Sequence, residues 1–184
     1  MTLIEIIIVI AMVGLLLSLG VSVLTDWFED NLTKITSQLS GTIRYVYDES
    51  AVKNQTYRLK IDLNSQTFSV EAAAGPIKVE KNEAKHSEEA EASPEKESFA
   101  AVSSYLLAPI QLPEGIRIKD VYVTHENKKI DAGVTAIYFF PNGWVEKAVI
   151  NLTDEKEEHF YSLETHSLTG KTTIRNEYLD YVHP

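Results

Sequence analysis

The chain has no cysteine among its 184 residues, which excludes disulfides and thiolate metal sites. No basic side chain precedes Lys34, so the apolar start lacks the positively charged head of a secretory leader. Between Ile6 and Thr25 there is no charge of either sign. Proline is missing before Pro76, so nothing forces a break in a helix there. Glycine is scarce, at eight residues, and no Gly-x-Ser-x-Gly elbow, phosphate-cradling loop or His-Glu-x-x-His pair occurs. Catalysis has no foothold in these motifs, and a non-enzymatic protein without a cofactor is expected.

What is present falls into three parts. Residues 1–25 form an apolar run with a single charge, Glu5. At about 1.5 Å per helical residue its uncharged portion reaches roughly the thickness of a bilayer core, which predicts a transmembrane half-helix. Residues 26–53 continue the helix in amphipathic form, with Phe28, Leu32, Ile35, Leu39, Ile43 and Val46 spaced by three and four. Residues 54–184 form a β-rich domain. The period changes to two at Tyr57, Leu59, Ile61 and Leu63, and Asn64-Ser65-Gln66 turns the chain into a second strand through Phe68 and Val70.

Residues 80–98 carry seven Glu, three Lys, no aromatic residue and no Val, Ile or Leu, and read as a flexible acidic loop. Order is expected again from Phe99. Ile116 and Ile118 have one parity and Val121 and Val123 the other, so a bulge near Lys119-Asp120 is predicted. Val134–Phe140 reads as a central strand covered on both faces. Strands at about Trp144–Leu152, His159–His166 and Lys171–Tyr178 follow, with turns at Pro141-Asn142-Gly143 and Leu168-Thr169-Gly170. The stretch from Val134 to Tyr178 is expected to be a meander of sequential antiparallel strands. The fold class is therefore α+β, a long N-terminal helix packed on an antiparallel β-domain.

Beyond residue 25 the chain has 26 acidic against 17 basic side chains, a balance that opposes unspecific binding to nucleic acid. His159 and His166 lie seven apart on one predicted strand, on opposite faces, and cannot share a metal. His86 falls in the acidic loop and His183 in the tail. Asp154-Glu155 with Glu157-Glu158 lacks the spacing that wraps a loop around calcium, and reads as a solvated turn. No metal site is expected.

Met1-Thr2-Leu3-Ile4-Glu5, followed by an apolar run, resembles the processed N-terminus of type IV pilins and type II secretion pseudopilins, with Met1 in place of the usual aromatic residue. The amphipathic helix, then YRLKIDL, FSVE, LPEGIRI, YFFPNGW and LTGK, is similar to the GspH/FimT group of minor pseudopilins and minor pilins. The resemblance implies a prepilin peptidase that removes a leader, methylation of Met1, a single-pass position in the bacterial inner membrane with the β-domain in the periplasm, and assembly with other pilin-like subunits in a filament.

In that setting Glu5, an ionised carboxylate in an apolar helix, demands a partner. The resemblance supplies the N-terminal amine of a neighbouring subunit or its own, with Thr2 beside it in the assembly motif. Gly14 and Gly20 each weaken the helix by roughly 1 kcal/mol relative to Ala. Local melting during assembly and close helix packing are both open for them. Phe28, Leu32, Ile35 and Leu39 are the expected packing residues.

The function implied is a minor pseudopilin whose periplasmic filament helps drive folded cargo across the outer membrane. A FimT-like minor pilin acting in pilus assembly or DNA uptake is the alternative. It is disfavoured by a tail, Asn176 to Pro184, without Lys or Arg. A membrane-anchored binding protein that never polymerises is a third reading.

Overall fold

The computed structural model describes residues 2–73, 99–102 and 107–180, with only the backbone considered for residues 17–29. Met1, the acidic segment 80–98, His86 and His183 lie outside the described residues, as do the side chain of Phe28 and the surroundings of Gly20.

Helix α1 (Leu3–Lys53) is unbroken over 51 residues and ends where the periodicity predicts. Thr2 caps its start in extended conformation. Asn54 ends it in the left-handed region (φ 50°), which Asn tolerates better than most residues, and its N–H bonds the Ser50 carbonyl. The helix passes through Gly14 and Gly20 without interruption. Among the described residues no helix is long and apolar enough to cross a membrane. The expected span includes positions whose side chains lie outside that description.

The predicted hairpin is present as β1 (Tyr57–Asp62) and β2 (Thr67–Ala73), with Leu59 opposite Val70 and Ile61 opposite Phe68. Further strands are β3 (Phe99–Ala101), β4 (Ile110–Gln111), β5 (Ile116–Val123), β6 (Lys128–Ile130), β7 (Val134–Phe140), β8 (Trp144–Val145), β9 (Ala148–Asp154), β10 (Phe160–Thr165) and β11 (Thr172–Arg175). They form two antiparallel sheets. The first has the order β3-β2-β1-β7-β8, with β4 added on β2; the second has the order β11-β10-β9-β5-β6.

The expected meander is corrected by this topology. Trp144–Leu152 is two strands in different sheets, and the chain changes sheet at Glu146-Lys147. The reason lies in the side chains: Val145 and Ala148 are both fully buried, a spacing of three that no regular strand satisfies on one face. Between them Glu146 turns inward, where its carboxylate accepts the His125 N–H at 2.7 Å. Within Val134–Tyr178 the sequential meander is β9, β10 and β11, and β11 stops at Arg175, short of Tyr178.

The bulge stands as expected, with the β5–β9 register shifting between Ile118 and Asp120. In β7, Thr135 to Phe139 are all buried, as a strand covered on both faces requires. One core joins all layers. Leu32, Ile35, Leu39, Ile43 and Val46 from α1 meet Leu59, Ile61, Phe68, Ile137 and Phe139 from the first sheet. The second sheet adds Ile118, Val121, Ile150, Leu152 and Leu163. Burial of each such side chain contributes about 1.5–3 kcal/mol, so the helix stripe is a principal tie between stalk and domain.

Candidate functional site: an apolar stalk fixed to a two-sheet domain

The first described turns of α1 present an apolar surface to the outside. Leu3, Ile4, Ile10, Met12, Leu15 and Leu16 are all largely exposed, and consecutive residues such as Ile6, Ile7, Ile8 and Val9 point in all directions. Exposed apolar patches of this kind mark surfaces that meet a membrane or another protein. Glu5 is the charge within it. Its carboxylate accepts the Thr2 N–H at 3.3 Å, reaching back over the open end of the helix where the dipole favours an anion. Thr2 and Glu5 are thus brought together, and an exposed carboxylate at this end can also take a cation from outside the chain. Gly14 has open space where a Cβ would stand, so no contact within the chain demands glycine there.

Lower down, Leu32, Ile35 and Leu39 are buried against the domain, as their spacing predicts. A set of polar ties accompanies them that periodicity does not mark. The Tyr47 hydroxyl lies 3.1 Å from the Gly143 carbonyl and 3.0 Å from the Leu168 carbonyl, one turn from each sheet. Arg44 donates to the Thr169 carbonyl at 2.6 Å, and Ser40 bonds Thr172. Ser50 reaches the Phe140 carbonyl at 3.3 Å. The signal that could have found Tyr47 is indirect: Gly170 has φ +60°, and a Cβ there would run into the root of the Tyr47 ring.

The outer face of the first sheet holds an open cleft of about 600 Å³ lined by Arg58, Lys60, Glu71, Phe99, His125 and Tyr138. Arg58 pairs with Glu71 at 2.5 Å and stacks 4.0 Å over the Phe99 ring. His125 sits 2.7 Å from Glu146 and 3.8 Å from Glu126. Such a surface can recognise a polar partner. Its described lining offers no Ser or Cys nucleophile, and Lys60 is taken up by Glu71 at 3.4 Å.

His159 and His166 flank β10 rather than lying within it. His166 bonds Thr173 at 2.6 Å and His159 faces Asp154 at 3.0 Å, so the two do not meet. Asp154, Glu158 and His159 do meet, with ligand-type atoms within 4.8 Å of one another. Their bonds are already used locally. Asp154 Oδ1 accepts the N–H groups of Glu158 (2.8 Å) and His159 (3.3 Å) and closes the turn. Burial pushes the Asp154 carboxyl upward, but the bonds from the His159 ring and the two N–H groups outweigh it and hold the group below its ordinary value. Glu157, in the same turn, is held low chiefly by the Lys119 ammonium, and pairs also with Arg117.

A long N-terminal helix laid on antiparallel sheets, with its first turns bare and apolar, is a pseudopilin-like fold. Two solved structures of the minor pseudopilin EpsH from the type 2 secretion system of Vibrio cholerae are similar to it. They have TM-scores of 0.58 and 0.55 at 8% sequence identity, over 82% of this chain and 99% and 98% of theirs. No family model and no curated protein sequence matches the chain. The likeness therefore concerns architecture.

Proposed function

We propose that the chain is a minor pseudopilin of the GspH/FimT type, a structural subunit of a type II secretion pseudopilus that helps move folded proteins across the outer membrane. The observation that carries this reading is the combination of a pseudopilin-like fold with an exposed apolar stalk bearing one carboxylate at position 5. In this reading the stalk is held in the inner membrane before assembly, and the β-domain stands in the periplasm. A prepilin peptidase exposes Met1, which is then methylated. Glu5 pairs with the N-terminal amine of a neighbouring subunit, where an apolar surrounding gives a charge pair its strength. Leu32, Ile35 and Leu39 keep the domain on the stalk while apolar helices pack above it.

The test is a gene deletion scored for secreted proteins, surface pili and DNA uptake in one strain. Exoproteins retained in the periplasm, with pili and uptake intact, are expected. Normal secretion with lost pili or DNA uptake would move the assignment to a minor pilin. Complementation with Glu5→Leu is expected to fail although the domain folds; full complementation would point to an anchored protein that does not polymerise.

A further inference from the structure

Across the outer face of the second sheet runs a row of buried polar residues. Asp120 on β5, Asn151 on β9 and Ser162 on β10 are direct register partners, each no more than 5% exposed. Polar side chains in the middle of a sheet face cost about 1–3 kcal/mol each if left without partners. Here they bond one another and the segment that follows β11, Asn151 and Ser162 through its backbone and Asp120 through a side chain. Asn151 donates to the Leu179 carbonyl at 3.2 Å and accepts the Leu179 N–H at 3.4 Å, the two-point reading an amide side chain gives to an extended peptide. Ser162 accepts the same N–H at 3.0 Å and lies 2.6 Å from the Glu177 carbonyl. The Tyr178 hydroxyl donates to Asp120 at 2.8 Å, Lys129 reaches that hydroxyl at 2.9 Å, and Lys129 pairs with Asp180. The partners follow in strand order, β10, β9, β5 and β6, so the segment crosses the sheet like a strap.

We propose that this row is a binding slot for an extended peptide, filled by residues 176–180 of the same chain and open in trans to the same segment of a second copy. Three features support exchange. Among the described residues the segment forms no strand ladder and is held by side chains of the sheet. Tyr178 and Leu179 are half-buried while Asn176, Glu177 and Asp180 are exposed, so its departure opens no core cavity. The slot reads main-chain groups at Leu179, a phenol at Tyr178 and a carboxylate at Asp180, a pattern that an identical segment from a second copy matches group for group.

The test uses a fluorescent peptide of residues 175–184 and the full chain, with the resident segment released by Tyr178→Ala and Leu179→Pro. Both substitutions lie in the strap and leave Asp120, Asn151 and Ser162 themselves unchanged. Saturable binding to the released chain is expected, with affinity at least about a hundredfold weaker for the unaltered chain, where the tethered segment competes at an effective concentration in the mM range. A peptide carrying Leu179→Pro, which lacks the N–H that Asn151 and Ser162 accept, is expected not to bind. The proposal is overturned by equal binding to both chains, by equal binding of the proline peptide, or by no binding to a released chain that still melts cooperatively. If release abolishes that melt, Asp180→Lys, which loosens the outermost contact, takes its place, with the peptide expected to bind it a few-fold more tightly than the unaltered chain and equal affinity overturning the proposal.

Discussion

Gly170 and Tyr47 form a contact whose size can be worked out and measured. Gly170 has φ +60°, so Ala there costs about 1–2 kcal/mol in backbone conformation alone. Its Cβ would also run into Tyr47 Cγ and stand 2.6 Å from Tyr47 Cβ and Cδ1. These atoms sit at the root of the side chain, and a rotation about the ring axis cannot clear them. The ring must move, which takes its hydroxyl from the Gly143 and Leu168 carbonyls, a loss of about 1 kcal/mol or somewhat more. Gly170→Ala should therefore destabilise the domain by about 3 kcal/mol.

The control is a double-mutant cycle with Tyr47→Gly, because Tyr47→Ala would leave the Cβ at 2.6 Å in place. In the Tyr47→Gly background the clash is gone, and Gly170→Ala should cost only its backbone share. The expected coupling is about 1.5 kcal/mol, the share left once the backbone cost is removed. It is read by urea denaturation on Trp144 fluorescence in a Trp27→Phe background. An equal cost of Gly170→Ala in both backgrounds would refute the steric argument.

Two further perturbations have defined signs. Asp154, Asp62 and Glu157 are all held below their ordinary values in the folded chain, so each adds stability above the carboxylate range that is lost as pH falls through its lowered folded value. Thermal melts should show a loss of stability below about pH 4, and Asp154→Asn should flatten that acid limb; an unchanged limb would remove Asp154 from the account. Deletion of Lys119 should leave the fold intact at the small cost of one partly exposed ion pair. Excising this extra residue leaves Ile118 and Asp120 adjacent and opposite the same β9 partners, Leu152 and Asn151. Deletion of Tyr122 should unfold the domain, since it turns Val123 to the outer face; comparable circular dichroism melts for the two deletions would contradict the bulge assignment.

The local elements were legible in the sequence because local chemistry decides them. The three-four spacing of Leu32, Ile35, Leu39, Ile43 and Val46 marks the buried stripe, and the parity change at Lys119 marks the bulge. Pairing was less legible. Val134–Phe140 announces a strand covered on both faces, but its neighbour β1 lies far earlier in the chain, and nothing in the strand's own residues names that partner. The sheet change at Glu146 was hidden because Trp144–Leu152 contains no Gly or Pro to mark a break, so it reads as one strand through Glu146-Lys147. The buried spacing of Val145 and Ala148 shows only once the core is known. Likewise Asp120, Asn151 and Ser162 look like outward polar residues of ordinary strands until the segment after Arg175 is seen lying on them. The stalk was legible as chemistry. Met1, the side chain of Phe28 and the surroundings of Gly20 fall outside what the structure describes, and the proposed pairing of Glu5 beyond its own helix concerns a second chain.

The ties along α1 bear on how axial position passes from helix to domain. Ser40, Arg44, Tyr47 and Ser50 are spaced by three and four along one side of the helix, a length of about 15 Å. Each bonds a turn or a strand end of the domain, at Thr172, Thr169, Gly143 with Leu168, and Phe140. An apolar stripe alone resists separation of helix from sheet, but it tolerates sliding, because one methyl group replaces another at similar cost. Hydrogen bonds to fixed carbonyls do not tolerate a shift of even one helical turn. The stripe therefore supplies the strength of the joint and the polar row supplies its register. Because the row engages turns of both sheets, axial displacement of residues 40–50 must carry the two sheets together.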